Sequence, residues 1–259
     1  MSAPRDGIAA AIRSSAAEGR PALVAYLTAG FPSRATFSAN LEAVASASDV
    51  VEVGVPFSDP MADGTTIQRA SFAALREGVT LPWVLEQVAA ARRRIAPPIL
   101  LMSYLNPLLQ FGLEALPRAS AAAGVAGYIV PDLPYEESAD LKQALELEGL
   151  VLIQMVTPVT PAGRLEMLCR HARGFIYAVT MTGTTGKSAS LPPEVLEYMG
   201  RIRKVSAVPV CAGFGIRSRD QVVRFKGHVD GVVVGSALVE VLERGGDARA
   251  FLSGLRSAP

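Results

Sequence analysis

The sequence predicts an α/β protein built as a (β/α)8 TIM barrel with an extra N-terminal helix, one domain over residues 1–259. Three observations carry that reading. Eight short apolar, β-branched runs recur along the chain, stretches with helical spacing fill the gaps between them, and no compositional shift or linker divides the 259 residues. Strand alternating with helix implies a parallel sheet, because parallel neighbours need a crossover connection. Eight such units in about 250 residues match the size of a closed barrel. A doubly wound open sheet is the rival architecture; a GxGxxG turn after the first strand would favour it, and TAGFPS stands there instead.

From the N-terminus, residues 6–19 read as a short helix ahead of the first strand, placed to cap the bottom of the barrel. ALVAYLT (22–28) is the first strand, RATFSANLEAVASA (34–47) the helix after it, and VVEVGV (50–55) the second strand. LPWVLEQVAAARRRI (81–95) is helical, with Trp83 at packing distance in sequence from Leu81, Leu85 and Val88. Its arginines 92–94 fall just before Pro97, where cations favour a helix C-terminus, so the run reads as a solvated helix end. PILLMS (98–103) and GYIVP (127–131) are strands, followed by a helix over YEESADLKQALELEG (135–149). VLIQMV (151–156) and FIYAVT (175–180) are the fifth and sixth strands, PEVLEYMGRIRKV (193–205) a helix, and VPVCA (208–212) and DGVVVG (230–235) the last two strands.

Composition narrows the function. With 50% hydrophobic and 19% charged residues, the chain is neither disordered nor a coiled coil. Its net charge of +1 gives no electrostatic reason to expect nucleic acid or an anionic membrane as partner. Cys169 and Cys211 lie far apart without CxxC spacing, which suggests neither a disulfide framework nor a zinc site and fits a reducing compartment. The opening MSAPRDGIAAAIRSS lacks the apolar core of a signal peptide. No later run approaches the ~20 apolar residues that span a bilayer, so a cytoplasmic location is expected.

One residue breaks the apolar pattern of the second strand. Side chains alternate along a strand, so Val51, Val53 and Val55 share one face while Val50, Glu52 and Gly54 share the other. If the valines pack against helices, Glu52 points into the barrel near the C-terminal end of its strand, where barrel enzymes carry their active sites. The alternative is a glutamate paired with an arginine in a polar inner layer. In the loop that follows, FSDPMADG, Asp59 reads as a turn residue bonded to its own backbone, and Asp63 as the second of two functional carboxylates.

Two glycine-containing turns, AGFGIRS (212–218) and VVGSALV (233–239), follow the seventh and eighth strands, where barrels often hold a phosphate on backbone N–H groups. Gly215, Gly235 and Ser236 are the expected donors. The small, polar stretch TMTGTTGKSAS (180–190) has the composition of an active-site lid, as of any flexible loop. His171 and His228 fall away from this end, and no His or Cys cluster offers a metal site. Lys142, Lys187, Lys204 and Lys226 lie outside the expected strands, so a Schiff-base lysine is missing, and no GxSxG motif occurs. Acid–base catalysis by carboxylates on a phosphorylated substrate remains.

The run VEVGVPFSDPMADGTTIQ, with LTAGFP on the first strand, YLNP after the third, VPDLPYEE after the fourth, TGTTG after the sixth, AGFGI after the seventh and VVGSALV after the eighth, resembles the alpha chain of tryptophan synthase. The matches span nearly the whole chain in order. The resemblance implies a lyase that cleaves indole-3-glycerol phosphate to indole and glyceraldehyde 3-phosphate. It implies no cofactor in this chain, and a beta-chain partner carrying pyridoxal phosphate in an alpha2beta2 heterotetramer. By the family pattern, Glu52 is the general acid–base and Asp63 faces the indole N–H. Tyr26, Thr28, Ile67, Met102, Tyr104, Ile129, Ile153, Tyr177, Thr185 and Phe214 surround the substrate, and Gly186, Gly215, Gly235 and Ser236 hold the phosphate.

Two places depart from the pattern. Thr65 stands where the family usually has proline after ADG, which would loosen the loop carrying Asp63. Around the lid, GTTG replaces the common GVTG and Met181 occupies a place that is arginine in some members, which bears on lid closure and coupling to the partner. A stand-alone indole-3-glycerol phosphate lyase would share all the chemistry. A phosphosugar isomerase would need its acids on opposite sides of the substrate, whereas Glu52 and Asp63 both follow from the second strand. A catalytically silent subunit that activates a beta chain would have no use for both carboxylates.

Overall fold

Each apolar run is covered on its outer face by helices and on its inner face by the other strands, and the sheet closes on itself. The structure, a computed structural model, describes residues 4–179, 191–213 and 215–256. The strands are β1 (Ala22–Thr28), β2 (Val50–Gly54), β3 (Ile99–Met102), β4 (Val125–Ile129), β5 in two pieces (Val151–Leu152 and Gln154–Val156), β6 (Ile176–Val179), β7 (Val210–Gly213) and β8 (Gly231–Val234). All pairings are parallel. The order runs from the first piece of β5 through β4, β3, β2, β1, β8, β7 and β6 to the second piece of β5.

The fifth run was expected as one unbroken strand and is divided at Ile153. Its first piece pairs with β4 through Gly127↔Val151 and Tyr128↔Leu152, and its second with β6 through Gln154↔Ile176 to Val156↔Ala178. A strand that changes partners cannot keep one ladder, and this change is what closes the ring. β4 begins at Val125, two residues before the expected start at Gly127. A register shift between Ile99 and Leu100 places Val125 and Gly127 opposite consecutive residues of β3, so Ala126 is the extra residue of a bulge.

The helices among the described residues are α1 (Pro4–Ala17), α2 (Arg34–Ala45), α3 (Thr65–Arg76), α4 (Leu81–Ala91), α5 (Leu105–Phe111), α6 (Leu116–Ala123), α7 (Ala139–Leu147), α8 (Ala162–His171), α9 (Pro193–Val205), α10 (Arg219–Phe225), α11 (Ser236–Glu243) and α12 (Ala248–Arg256). Ser33 and Thr80 cap α2 and α4 by accepting the Thr36 and Trp83 amides. The expected 135–149 helix is a single 3-10 turn (Tyr135–Glu137) followed by α7. At the arginine run, Arg92 donates to the Ile95 and Pro97 carbonyls at 3.0 and 2.8 Å, and Arg94 pairs with Glu42. Cations do gather at that helix end, although Arg92 braces the turn into β3 rather than standing free in solvent.

Two apolar layers result. Val51, Val53 and Val55 belong to the large layer between strands and helices. Inside the barrel, Ala22, Val24, Val50, Phe175 and Cys211 pack against Ile8 and Ile12 of α1, both fully buried. Four residues apart, the two isoleucines share one helix face and plug the N-terminal end of the barrel. Each contributes roughly 1.5–3 kcal/mol by leaving water. Beside this plug, Asp49 accepts the Leu23 N–H at 2.7 Å and Arg20 at 3.1 Å, while Arg256 of α12 lies 2.6 Å from its Oδ2. Burial opposes ionisation there, but these partners outweigh it and hold the Asp49 carboxyl below its ordinary range. With one end filled, the cavity is left to the other.

Candidate active site

Glu52 sits in β2 with Tyr26 of β1 and Leu100 of β3 beside it in register. Since the flanking valines face the helices, alternation turns Glu52 into the barrel, where it is only 1% exposed. Its Oε2 has no hydrogen-bond partner among the described residues. Burial, and then the charge of Asp63, push its carboxyl up to about 8. Among the described residues no cation contributes to that shift, and the arginine-paired inner layer does not describe this glutamate there.

Asp63 is held by its loop in several ways. Its N–H donates to the Pro60 carbonyl at 3.1 Å, and Gln68 on α3 donates through Nε2 to the Pro60 and Asp63 carbonyls at 3.3 and 2.9 Å. Thr65 opens α3 directly after Gly64, so the loop that lacks a proline is clamped by a glutamine one turn into the helix. The Tyr104 hydroxyl accepts the Ala62 N–H at 2.9 Å, beside Asp63, while its ring stacks on Phe57 with centroids 5.1 Å apart. Burial pushes the Asp63 carboxyl up to about 6, and the Tyr104 hydroxyl opposes that rise. Asp59, by contrast, is exposed and bonded to Ser58 in its own turn.

Two tyrosines lie on beds made by glycines. A Cβ on Gly54 would stand 2.1 Å from the Tyr26 hydroxyl, and one on Gly213 would stand 2.8 Å from the Tyr177 ring. Neither ring could occupy its place over an alanine. The Tyr26 hydroxyl also meets Thr28 Oγ1 at 3.2 Å.

Above these groups a cavity of about 780 Å³ opens at the C-terminal ends of the strands. Of the residues expected at a site, Tyr26, Glu52, Asp63, Ile67, Met102, Ile153, Tyr177, Gly215, Gly235 and Ser236 line it. Thr28, Tyr104 and Ile129 do not reach its wall: Thr28 holds Tyr26, Tyr104 holds Ala62 beside Asp63, and Ile129 is fully buried in the inner apolar layer. Thr185, Gly186, Phe214 and the expected lid over 180–190 lie outside the described residues. Gly215 has a φ of +61°, and Gly235 precedes the first residue of α11, Ser236. The start of that helix, where first-turn N–H groups have no acceptor within the helix, therefore lies at the cavity wall.

Sequence reasoning missed Met155, Gln68 and the two glycine beds. Met155 lines the wall two residues beyond Ile153, and period-2 spacing could have found it. The glycine beds depend on contacts between separate strands and left no local signal, while Gln68 acts within its own segment, on carbonyls five and eight residues before it. His171 ends α8 beside the Tyr135 ring, and His228 precedes β8; neither lines the cavity. Among the described residues no group of three or more His, Cys, Asp or Glu could hold a metal ion, and no described helix is long and apolar enough to cross a membrane.

Comparison with known proteins places these features in a family. The family model described as tryptophan synthase alpha chain matches residues 12–253. The chain is 46% identical over 242 residues to the tryptophan synthase alpha chain of Nitratidesulfovibrio vulgaris strain DP4, covering 93% of this chain and 94% of that one. It is 45% identical over 246 residues to the same protein from Geobacter sulfurreducens, covering 92% and 93%. Among solved structures, a Mycobacterium tuberculosis tryptophan synthase chain is similar with a TM-score of 0.88 at 38% identity, over 96% of both chains. The alpha subunit from Legionella pneumophila strain Paris is similar with a TM-score of 0.88 at 30% identity, over 99% of this chain and 98% of that one.

Proposed function

Because the chain belongs to the tryptophan synthase alpha chain family, we propose that Glu52 and Asp63 carry out its reaction as a proton donor–acceptor and an electrostatic partner. The reaction is the lyase step of tryptophan biosynthesis, cleavage of indole-3-glycerol phosphate to indole and glyceraldehyde 3-phosphate. Indole is a poor leaving group until its C3 is protonated. Glu52, protonated near neutrality because it is buried, delivers that proton. Positive charge then grows on the ring nitrogen, where the ionised Asp63 stabilises it. As the carbon–carbon bond breaks, the Glu52 carboxylate takes the proton of the departing glycerol hydroxyl and the aldehyde forms. The acid is restored in the same turnover. The buried Oε2 of Glu52, without a hydrogen-bond partner among the described residues, on a residue that lines the cavity, is the observation that carries this reading.

Tyr26, Ile67, Met102, Ile153 and Tyr177 would enclose the indole, with Thr28, Tyr104 and Ile129 supporting that wall from behind. The phosphate would rest on the amides of Gly215, Gly235 and Ser236, with Gly186 and the neighbouring Thr185 and Phe214 completing the pocket. The family pairs with a beta chain; an alpha2beta2 heterotetramer is the proposed assembly here, with pyridoxal phosphate in the beta chain and no cofactor in this one. A cytoplasmic setting suits two cysteines that are buried and unpaired.

The test is indole release from indole-3-glycerol phosphate by wild type and Glu52→Gln, with and without a beta chain. A loss of ~10² to 10⁴ in kcat is expected for the variant. Near-normal turnover by Glu52→Gln would remove Glu52 from the chemistry.

A further inference from the structure

Asp132 lies in the loop after β4 and lines the cavity, yet its carboxylate is turned onto backbone. Its two oxygens accept the Leu105 N–H at 2.9 and 3.2 Å. Leu105 is the first residue of α5, so that amide has no acceptor within its own helix and depends on a neighbouring loop. The residue just before it is Tyr104. Ser103 Oγ donates to the Tyr104 carbonyl at 3.0 Å, so the peptide unit that joins Tyr104 to Leu105 is held at both its carbonyl and its N–H. The Tyr104 ring is stacked on Phe57, and its hydroxyl ends at the Ala62 N–H, beside Asp63. The loops after β2, β3 and β4 thus join in one line of contacts that finishes beside Asp63.

We propose that Asp132 is a positioning residue for the lyase reaction: by holding the Leu105 amide it fixes Tyr104, whose hydroxyl holds the Ala62 N–H, and thereby sets the aim of the adjoining Asp63. The inference rests on the role assigned to Asp63 above. Asp63 is faced by Glu52 from β2, Tyr26 from β1, Tyr177 from β6 and Tyr104 from the loop after β3. Of these, Tyr104 is the group that favours its ionised form. Losing the grip on Tyr104 therefore has a readable consequence: Asp63 becomes harder to ionise. A carboxylate is not required for that grip, because a side-chain amide oxygen also accepts an N–H.

The experiment measures indole release by the full chain from about pH 5 to about pH 9 for wild type, Asp132→Ala, Asp132→Asn, Tyr104→Phe and the double variant Asp132→Ala/Tyr104→Phe. Asp132→Ala is expected to lower kcat by about tenfold or more and to move the acid limb of kcat/KM to higher pH, in the same direction as Tyr104→Phe. Asp132→Asn is expected to rescue both effects to within about threefold of wild type. The double variant should be no worse than the more impaired single, because both act on one contact. An acid limb that stays in place in Asp132→Ala, an Asn variant as impaired as Ala, or losses that multiply in the double variant would each overturn the proposal. If Asp132→Ala fails to fold by circular dichroism, Tyr104→Phe decides: an acid limb that stays in place in that variant overturns the proposal. Glu52→Gln in the same assay keeps the two readings apart, since its retention of turnover would sink the site assignment whatever Asp132 does.

Discussion

Replacing Glu52 by glutamine should make the folded chain more stable, by an amount that grows with pH. In the fold the carboxyl is 1% exposed and ionises only at about 8, whereas an unfolded chain would ionise it at the ordinary 4.5. A raised folded pKa means that the group's contribution is fully present below the unfolded value and is lost as pH rises toward the folded value, because unfolding releases the proton. Glutamine has the same shape and never ionises, so it escapes that loss. Working the linkage between 4.5 and about 8 gives an advantage for Glu52→Gln of about 1 kcal/mol at pH ~5, about 3 at pH ~7 and about 5 at pH ~9. Any offset from the buried amide adds equally at every pH, so the slope is the diagnostic quantity. Urea unfolding of both proteins at these three pH values, followed by circular dichroism, measures it. A stability difference that stays flat across the range would mean that Glu52 is not held neutral by burial, and the acid step of the mechanism would lose its basis.

The pH dependence of kcat/KM should be a bell with limbs near about 6 and about 8, since activity needs Asp63 ionised and Glu52 protonated; at pH ~7 about 80% of the enzyme is in that form. A single limb in steady-state assays would contradict the division of roles. Asp63→Asn should cut indole release by ~10² to 10⁴ and also move the Glu52 limb to lower pH, because the Asp63 charge is the second cause of its elevation. A limb that does not move would show the two carboxyls to be uncoupled. Gly54→Ala should destabilise by about 1–3 kcal/mol and displace the Tyr26 ring from the cavity wall, with Tyr26→Leu recovering part of the loss. Thermal unfolding of the two single variants and the pair tests this, and additive losses would place Tyr26 elsewhere.

The legible part of this protein was whatever depends on periodicity. The valines at 51, 53 and 55 announce which face of β2 meets helices, and the same alternation puts Glu52 inside the barrel. The two glycine turns at 212–218 and 233–239 are legible because a barrel gives loops at strand ends a common side. What depends on two segments meeting was not legible. Nothing near Ile153 signals that the strand changes neighbours there, because the change is a property of ring closure. Gly54 and Gly213 look like ordinary strand-end glycines until a tyrosine from the adjacent strand is seen lying across each. Thr65 suggested a loose loop, and the compensation came from Gln68, whose side chain folds back onto carbonyls at 60 and 63.

The two carboxylates are treated in opposite ways, and the contrast explains their division of labour. Asp63 is over-determined: its backbone is tied at N–H and carbonyl, and the residue before it is tied to a hydroxyl whose ring and backbone are themselves fixed. A group that must stabilise charge at one atom of a substrate gains from such preorganisation and has no need to change its protonation state. Glu52 is under-satisfied among the described residues, with Oε2 buried and no hydrogen-bond partner there. A hydrogen-bond donor at that oxygen would favour the carboxylate, lower the pKa and remove the proton that the first step delivers. The same donor would also weaken the carboxylate as a base in the second step. An acid that must give a proton and take one back within a turnover works best when neither state is strongly held, and the burial that raises the Glu52 carboxyl to about 8 carries a cost in stability that the glutamine variant should expose.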